Sequence, residues 1–179
     1  PDVFANARHI LTYPQYWVYR LTGVAVSEVT SLGCHTDLWN PAEGRFSRLA
    51  NDRGWTTKFP PVRSAFDVAG TLTPELAERV GLSERAVPVH VGLHDSNASL
   101  LPHLLSGSVP LSVVSTGTWV VGFAAGGDLA RLDPARDMLA NADAFGRPVP
   151  SARFMGGREF DHLAGKVPAE PSEAEIRRV

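Results

Sequence analysis

The sequence contains a single cysteine, Cys34, among its 179 residues. An internal disulfide framework and a metal site built from cysteines are therefore excluded, and a lone thiol fits a reducing compartment, so we expect the cytoplasm. No apolar run approaches the length of a membrane span, and no signal-peptide pattern is visible, so no membrane partner is expected. The arginines are scattered and the net charge is -2. This argues against nucleic acid, because tracking phosphates requires clustered lysine and arginine.

The apolar content of the chain is sufficient for a buried core. Hydrophobic residues make up 44% of the sequence, and its length suits one domain or parts of two. The chain begins at Pro1 inside an amphipathic pattern and closes on a polar stretch, residues 168–175, which predicts the start of another helix. We therefore expect a portion of a longer protein.

Two helices are predicted near the start of the chain. Residues at helical spacing predict the first one: Phe4, Ala7, Ile10 and Leu11. Pro14 suits the first turn of the second helix, and Gly23 suits its C-terminal end. We expect the aromatic side chains of this second helix to pack in the core. They are Tyr16, Trp17 and Tyr19.

Short helices and short buried strands alternate farther along, which indicates an α/β layered fold. One short helix is predicted over residues 45–53, and another begins with Thr73 as its N-cap. Strands are predicted over residues 87–91, 111–114, 119–124 and 138–142. A helix is predicted over residues 96–105, residues 106–108 form a candidate hinge, and a further helix follows Met155.

Asp95 follows a strand and precedes a helix. At that position a carboxylate lies near unpaired backbone N–H groups, and these favour its ionised form. An ionised carboxylate can accept the proton of a substrate hydroxyl, which phosphoryl transfer to an alcohol requires. The alternative is that Asp95 only caps the helix.

A small turn rich in hydroxyl groups, Ser115-Thr116-Gly117-Thr118, follows some twenty residues later. Gly117 allows a close approach of the backbone to an anion, and N–H and hydroxyl groups can hold phosphate oxygens. The turn lacks the lysine and the glycine spacing of a Walker-type loop. The alternative is an ordinary hairpin that turns at a glycine.

His90 and His94 are four residues apart and are followed by Asp95, a spacing that could bind zinc on a helix. The flanking Pro88, Val89 and Val91 favour a strand instead. A metal-dependent hydrolase that uses these three side chains remains a second alternative. Ser115 lacks the Gly-x-Ser-x-Gly pattern of a serine nucleophile.

In combination, these motifs resemble the FGGY family of carbohydrate kinases. The stretches that carry the resemblance are Ile10-Leu11 with Tyr19-Arg20-Leu21-Thr22-Gly23, Gly92-Leu93-His94-Asp95-Ser96-Asn97-Ala98-Ser99, and Ser115-Thr116-Gly117-Thr118-Trp119. Residues 155–160, Met-Gly-Gly-Arg-Glu-Phe, are similar to a segment of sugar kinases near the rhamnulose and fuculose branch. The resemblance spans most of residues 1–165.

This resemblance implies an α/β fold of the ribonuclease-H-like kind found in the actin and hexokinase superfamily, with a cleft between two domains. Residues 1–106 would form the C-terminal part of the first, sugar-binding domain. Residues 107–179 would form the start of the second, nucleotide-binding domain. The oligomeric state stays open, with a homodimer as the candidate that the family suggests.

The resemblance also implies ATP-dependent phosphorylation of a small-molecule sugar, a ketose or related polyol, with Mg²⁺. Asp95 would be the catalytic base, with His94 and Ser96 also facing the sugar. The residues that would contact the nucleotide phosphates are Thr116, Gly117 and Thr118. The family's opening phosphate loop and adenosine pocket are absent, so the metal ligands stay unknown. A non-catalytic, actin-like protein that binds sugar or nucleotide is the other alternative.

Overall fold

A computed structural model describes residues 2–34, 36–165 and 177 of the chain. The helix start predicted over residues 168–175 lies outside these residues. The first helix, α1, spans Asp2–Asn6, so the prediction that it continues to Leu11 is wrong. Lys58 explains the early end, because its Nζ donates to the carbonyl oxygens of Ala5 at 3.1 Å and Ala7 at 2.8 Å. A lysine there satisfies carbonyl groups that a helix terminus leaves unpaired.

Helix α2 spans Tyr13–Thr22 and ends as predicted. Gly23 is left-handed, with φ of 75°, and its N–H donates to the carbonyl of Tyr19 at 2.7 Å. The expected burial of its aromatic side chains is wrong. Tyr16, Trp17 and Tyr19 are 38%, 49% and 43% exposed. Val18 instead faces the core.

The core around α2 is small and aliphatic. Val18 packs with Val26, Ala69 and Val91, which come from three later parts of the chain. Helix α3, Val29–Cys34, follows directly and is almost completely buried.

A series of short elements follows α3. The chain forms β1 (Trp39–Asn40), β2 (Arg45–Phe46), α4 (Arg48–Asp52), a 3-10 turn (Trp55–Lys58), β3 (Val68–Thr71), α5 (Pro74–Arg79) and β4 (Pro88–His90). The helix predicted from residue 45 starts later, because Arg45 and Phe46 pair with β1 and Ser47 caps α4. Thr73 caps α5 as predicted, since its hydroxyl accepts from the N–H of Leu76.

The last part of the described chain is a helix followed by an antiparallel sheet. It contains α6 (Asp95–Ser106), β5 (Leu111–Ser115), β6 (Val120–Ala125), 3-10 turns at Leu129–Arg131 and Pro134–Arg136, β7 (Met138–Ala142), β8 (Pro148–Phe154) and α7 (Gly156–Ala164). The strand order is β5-β6-β8-β7. Strand β8 was not predicted; Pro148 and Pro150, which cannot donate to a strand ladder, conceal it.

Helix α6 lies against this sheet. Leu100 packs with Val121, Phe123 and Val149 in a second apolar cluster. The Nδ2 group of Asn97 donates to the carbonyl of Ala142 at 2.5 Å, which fixes the helix to β7. No helix in the described part of the chain combines the length and apolarity that crossing a bilayer requires.

Candidate active site

One cavity, with a volume of about 350 Å³, joins the start of α6 to the turn between β5 and β6. Its lining residues are His94, Asp95, Ser96, Ser99, Ser115, Thr116, Gly117, Thr118, Trp119 and Val121. Each residue that the sequence proposed for catalysis, sugar binding or nucleotide binding therefore faces the same space. Two segments some twenty residues apart are brought together by the fold.

The start of α6 is held in place by the residues that precede it. The N–H of Val91 donates to the carbonyl of Asp67 at 2.9 Å, and that of Gly92 donates to the carbonyl of Ala65 at 3.0 Å. Gly92 then turns the chain with a φ of 69°, a left-handed conformation that favours glycine. The turn directs the following residues out of the core and into the cavity.

Asp95 is the first residue of α6, and His94 occupies the N-cap position with extended dihedral angles. The alternative that Asp95 serves only as the cap is therefore wrong. The Asp95 side chain is 91% exposed, so its carboxylate is accessible from the cavity. The N-terminus of α6 carries a partial positive charge that favours a carboxylate at this place.

Two neighbours orient the Asp95 carboxylate. The N–H of Ser96 donates to Oδ1 at 2.6 Å, and Nδ1 of His94 lies 3.0 Å from the same oxygen. The His94 side chain is only 16% exposed, so its ring is fixed by its surroundings. Asp95 therefore presents an accessible acceptor at the mouth of the cavity.

The opposite side of the cavity is the β5–β6 turn. Ser115 pairs with Val121, and residues 116–119 connect the two strands. Strands β5 and β6 therefore form a hairpin, and the residues of its turn are exposed and line the cavity. The Oγ atoms of Ser99 and Ser115 lie 3.2 Å apart, which ties the turn to α6.

Gly117 has no conformational requirement for glycine, since its φ is not positive. A Cβ at this position would meet nothing closer than the carbonyl oxygen of Trp119 at 3.6 Å. Neither backbone strain nor packing explains a glycine here. The expectation that a phosphate approaches the backbone at Gly117 is compatible with this open space.

Helix α7 supports the turn from behind. The N–H of Gly157 donates to the carbonyl of Thr118 at 3.3 Å. A Cβ on Gly157 would lie 2.7 Å from the carbonyl oxygen of Gly117 and 2.8 Å from Cα of Thr118. Gly157 is thus required for close packing against the turn. The glycine pair at 156–157 stands in the motif of residues 155–160, whose sequence alone does not indicate this packing role.

Three further side chains shape the site and were not predicted as site residues. Ser99 and Trp119 line the cavity. The guanidinium of Arg153 lies 5.6 Å from the centre of the Trp119 ring, and its Nε lies 3.4 Å from the Asp137 carboxylate. Ser99 and Trp119 stand inside the recognised motifs, whereas Arg153 lies on the strand that was missed.

The zinc alternative lacks the required geometry. His90 lies on β4 with Nδ1 2.8 Å from the carbonyl oxygen of Phe66, away from the cavity lining. Across residues 2–34, 36–165 and 177, no group of three or more His, Cys, Asp or Glu side chains is placed to hold a metal ion. The strand predicted by Pro88 and Val89 explains why four-residue spacing does not bring the two histidines together.

A buried thiol lies near the site. Burial raises the pKa of Cys34 above its ordinary value, and the negative charge of Asp95 adds to this effect. The Nδ2 group of Asn141 and the charge of Arg153 act in the opposite direction. Cys34 is therefore a buried, neutral thiol.

Comparisons with known proteins are consistent along the whole chain. Residues 1–102 match the N-terminal domain of the FGGY family of carbohydrate kinases. Residues 108–179 match the carbohydrate kinase FGGY C-terminal domain. The resemblance found in the motifs is thereby confirmed.

Individual relatives give the same result. A probable L-xylulose kinase of Pasteurella multocida is 31% identical over 125 residues, which are 68% of this chain and 25% of that protein. The crystal structure of a carbohydrate kinase from Novosphingobium aromaticivorans has a TM-score of 0.78 and 52% identity, over 91% of this chain and 36% of that one.

A structure of ligand-bound xylulose kinase from Lactobacillus acidophilus has a TM-score of 0.73 over 99% of this chain and 36% of that chain, at 16% identity, and shows the shared fold. The predicted α/β fold class is confirmed by these structures. The chain spans a quarter to about a third of the length of these relatives.

Proposed function

The chain belongs to the FGGY family of carbohydrate kinases, and from that membership we propose that the full-length protein transfers a phosphoryl group from ATP to a sugar hydroxyl, with Asp95 as the general base. The observation that carries this proposal is the shared cavity. It places an accessible, oriented carboxylate opposite a turn of hydroxyl and N–H groups. Acceptor and donor could therefore meet between them.

We assign residues 1–106 to the first, sugar-binding domain and residues 107–179 to the second, nucleotide-binding domain. The connection between α6, which ends at Ser106, and β5, which starts at Leu111, supports this boundary. The two family matches end and begin on either side of it, at residues 102 and 108. The cavity would then lie at the junction of the two domains.

On the acceptor side, Asp95 holds the sugar hydroxyl and accepts its proton as the bond to phosphorus forms. The transition state of phosphoryl transfer is loose, so positioning and charge neutralisation matter more than strong basicity. The hydrogen bond from the Ser96 N–H to Oδ1 favours one orientation of the carboxylate, and Nδ1 of His94 lies 3.0 Å from the same oxygen. His94 and Ser96, which line the same wall, would contact the other sugar hydroxyls.

On the donor side, Thr116, Gly117 and Thr118 would hold phosphate oxygens of ATP. Hydroxyl groups and backbone N–H groups in an exposed turn are suitable partners for these oxygens. Mg²⁺ is bound largely through water and substrate phosphates, with one or two carboxylates, and it would neutralise phosphate charge. Among the residues that the structure describes, Asp95 is the one carboxylate in the cavity lining, so none of them is assigned to the metal.

For the acceptor we propose a ketose. The names of the relatives point in this direction, because two of them are a probable L-xylulose kinase and a xylulose kinase. The expectation of a relative in the rhamnulose and fuculose branch also concerns ketoses. Both lines of reasoning therefore give the same substrate class, although they differ in the sugar.

The proposal is tested by ATP consumption of the full-length protein against a panel of ketoses, aldoses and polyols, followed by Asp95→Asn. We expect one or more ketoses to stimulate ADP formation. We expect Asp95→Asn to lower kcat by roughly 100- to 10,000-fold, the usual contribution of a general base. Sugar affinity measured by calorimetry should stay close to that of the wild type.

Asp52→Asn is the matched control, since Asp52 is an exposed carboxylate paired with Arg48 on α4. It should leave kcat unchanged. Near-normal turnover in Asp95→Asn would refute the assignment of the base. Binding of sugar or ATP without any phosphoryl transfer in the wild type would favour the non-catalytic alternative.

A further inference from the structure

A buried carboxylate lies behind the candidate site and takes no part in the proposed chemistry. Glu28 is completely buried. A buried carboxylate is costly unless hydrogen bonds stabilise it. Three donors do so: Oε1 accepts from the N–H of Thr30 at 3.0 Å, and Oε2 accepts from the Thr30 hydroxyl at 2.5 Å and from the N–H of Ser31 at 3.2 Å.

Thr30 connects this carboxylate to the active-site segment. Its hydroxyl donates to Glu28 and at the same time accepts from the backbone N–H of His94 at 2.9 Å. A hydroxyl has one proton and two lone pairs. Because Glu28 takes the proton, the lone pairs of Thr30 are directed elsewhere, and one of them receives the N–H of His94. Thr30 is itself fully buried, so water does not compete for these bonds.

The segment that carries Glu28 is itself fixed. Ser27 forms an isolated parallel bridge with Val62, and its N–H donates to the carbonyl of Pro61 at 3.0 Å. The carbonyl of Glu28 accepts from the N–H of Leu32 at 3.2 Å, which begins α3. Glu28 therefore holds Thr30 as a rigid reference point, and Thr30 is 64 residues away from His94 along the sequence.

The anchored atom lies immediately before the proposed base. His94 is the N-cap of α6 and Asp95 is its first residue. The His94 side chain makes no capping hydrogen bond. The hydrogen bond from its backbone N–H to Thr30 on α3 thus holds the start of α6 from a different helix. A shift of His94 would move both the backbone of Asp95 and the ring that lies beside Oδ1.

We propose that Glu28 and Thr30 are positioning residues, which hold the backbone of His94 and thereby the orientation of the Asp95 carboxylate in the cavity. This inference rests on the proposed function, because it assigns the anchor for the proposed base. Neither residue lines the cavity. Their effect is therefore on the geometry of His94 and Asp95, on the acceptor side of the cavity, while the nucleotide contacts of the β5–β6 turn stay in place.

The test uses Thr30→Val, Thr30→Ser and Glu28→Gln in the full-length protein. Thr30→Val keeps the shape but removes the hydroxyl, and a small displacement of a reacting group can cost up to about 100-fold in rate. We expect kcat to fall by roughly 10- to 100-fold, with the KM for ATP nearly unchanged. Thr30→Ser restores the hydroxyl and should recover most of kcat.

Thr22→Val is the matched control. The Thr22 hydroxyl also donates to a carbonyl, that of Val18 at 2.7 Å, and accepts from a backbone N–H, that of Val24 at 3.0 Å. It lies away from the cavity lining. A loss of kcat in Thr30→Val that is absent in Thr22→Val supports positioning. Equal losses in the two variants, or equal kcat in Thr30→Val and Thr30→Ser, would overturn it.

Amide hydrogen exchange separates this inference from the proposed kinase activity. In Thr30→Val, the amides of residues 94–99 should exchange faster than in the wild type, whether or not the protein phosphorylates a sugar. If the wild type lacks kinase activity, the proposed function fails and exchange alone decides the anchoring. Unchanged exchange at these amides would contradict it. If Thr30→Val does not fold, Glu28→Gln is measured in the same way.

Discussion

Gly117→Ala is the substitution that best distinguishes a functional glycine from a structural one. The added methyl group would lie 3.6 Å from the carbonyl oxygen of Trp119, an ordinary contact, and φ at Gly117 is not positive. The fold therefore accepts alanine without strain. Alanine also restricts the unfolded chain, which stabilises by about 0.4–1 kcal/mol where the native backbone is compatible. In the full-length protein this gives a small rise in Tm, because the shift per kcal/mol falls as the entropy of unfolding grows with chain length.

Although Gly117→Ala should stabilise the fold, we expect it to weaken the use of ATP. If a phosphate oxygen of ATP approaches the backbone at Gly117, the methyl group occupies part of that approach. Loss of one hydrogen bond to a charged group costs about 1.5–3 kcal/mol, which is a rise of roughly tenfold or more in the KM for ATP. A coupled assay of ADP formation in the full-length protein measures this, and a thermal melt of the same sample measures stability.

Two other glycines calibrate the experiment. Gly157→Ala would place its methyl group 2.7 Å from the carbonyl oxygen of Gly117, which requires a shift of about 0.6 Å to reach a normal contact. We expect that variant to lose about 1–3 kcal/mol of stability. Gly122→Ala on β6 meets nothing closer than 3.9 Å and should leave ATP use unchanged. An unaltered KM for ATP in Gly117→Ala would refute the phosphate assignment of the turn.

Two further predictions concern residues near the same cavity. Thr118→Val removes one hydroxyl from the turn and should weaken ATP use more than sugar use, so unchanged kinetic constants for ATP would count against this contact. Cys34 is 4% exposed and its pKa is raised by burial, so at pH 8 it should be alkylated by iodoacetamide far more slowly in the folded protein than in denaturant. Equal rates, followed by mass spectrometry, would contradict the buried thiol.

Local signals in the sequence were reliable where one residue fixes the backbone. Gly23 ends α2, Thr73 caps α5, and the strand predicted over residues 138–142 is observed as Met138–Ala142. Each of these depends on propensities and hydrogen bonds within a few residues. The site segments were found for a similar reason, since Asp95 and the turn after Ser115 stand in short motifs with a recognisable order.

Long-range contacts caused the errors. The first helix ends at Asn6 because Lys58, more than fifty residues later, binds the carbonyl groups of Ala5 and Ala7. The exposure of Trp17 was not predicted. The aliphatic core next to α2 is small, and Val18 is the residue of this helix that packs in it. The spacing of apolar residues along α1 and α2 indicates neither the end of α1 at Asn6 nor the exposure of Trp17.

The amino-acid order alone determined the family and the residue types available for chemistry, because motifs, caps and turn glycines act over short distances. Only the tertiary structure decided that Asp95 and the turn of Thr116–Thr118 line one cavity. It also decided that Gly157 supports the turn and that Glu28 reaches His94 through Thr30. The physical reason is that such contacts depend on how α3, α6 and the sheet pack together, which periodicity along one chain does not specify.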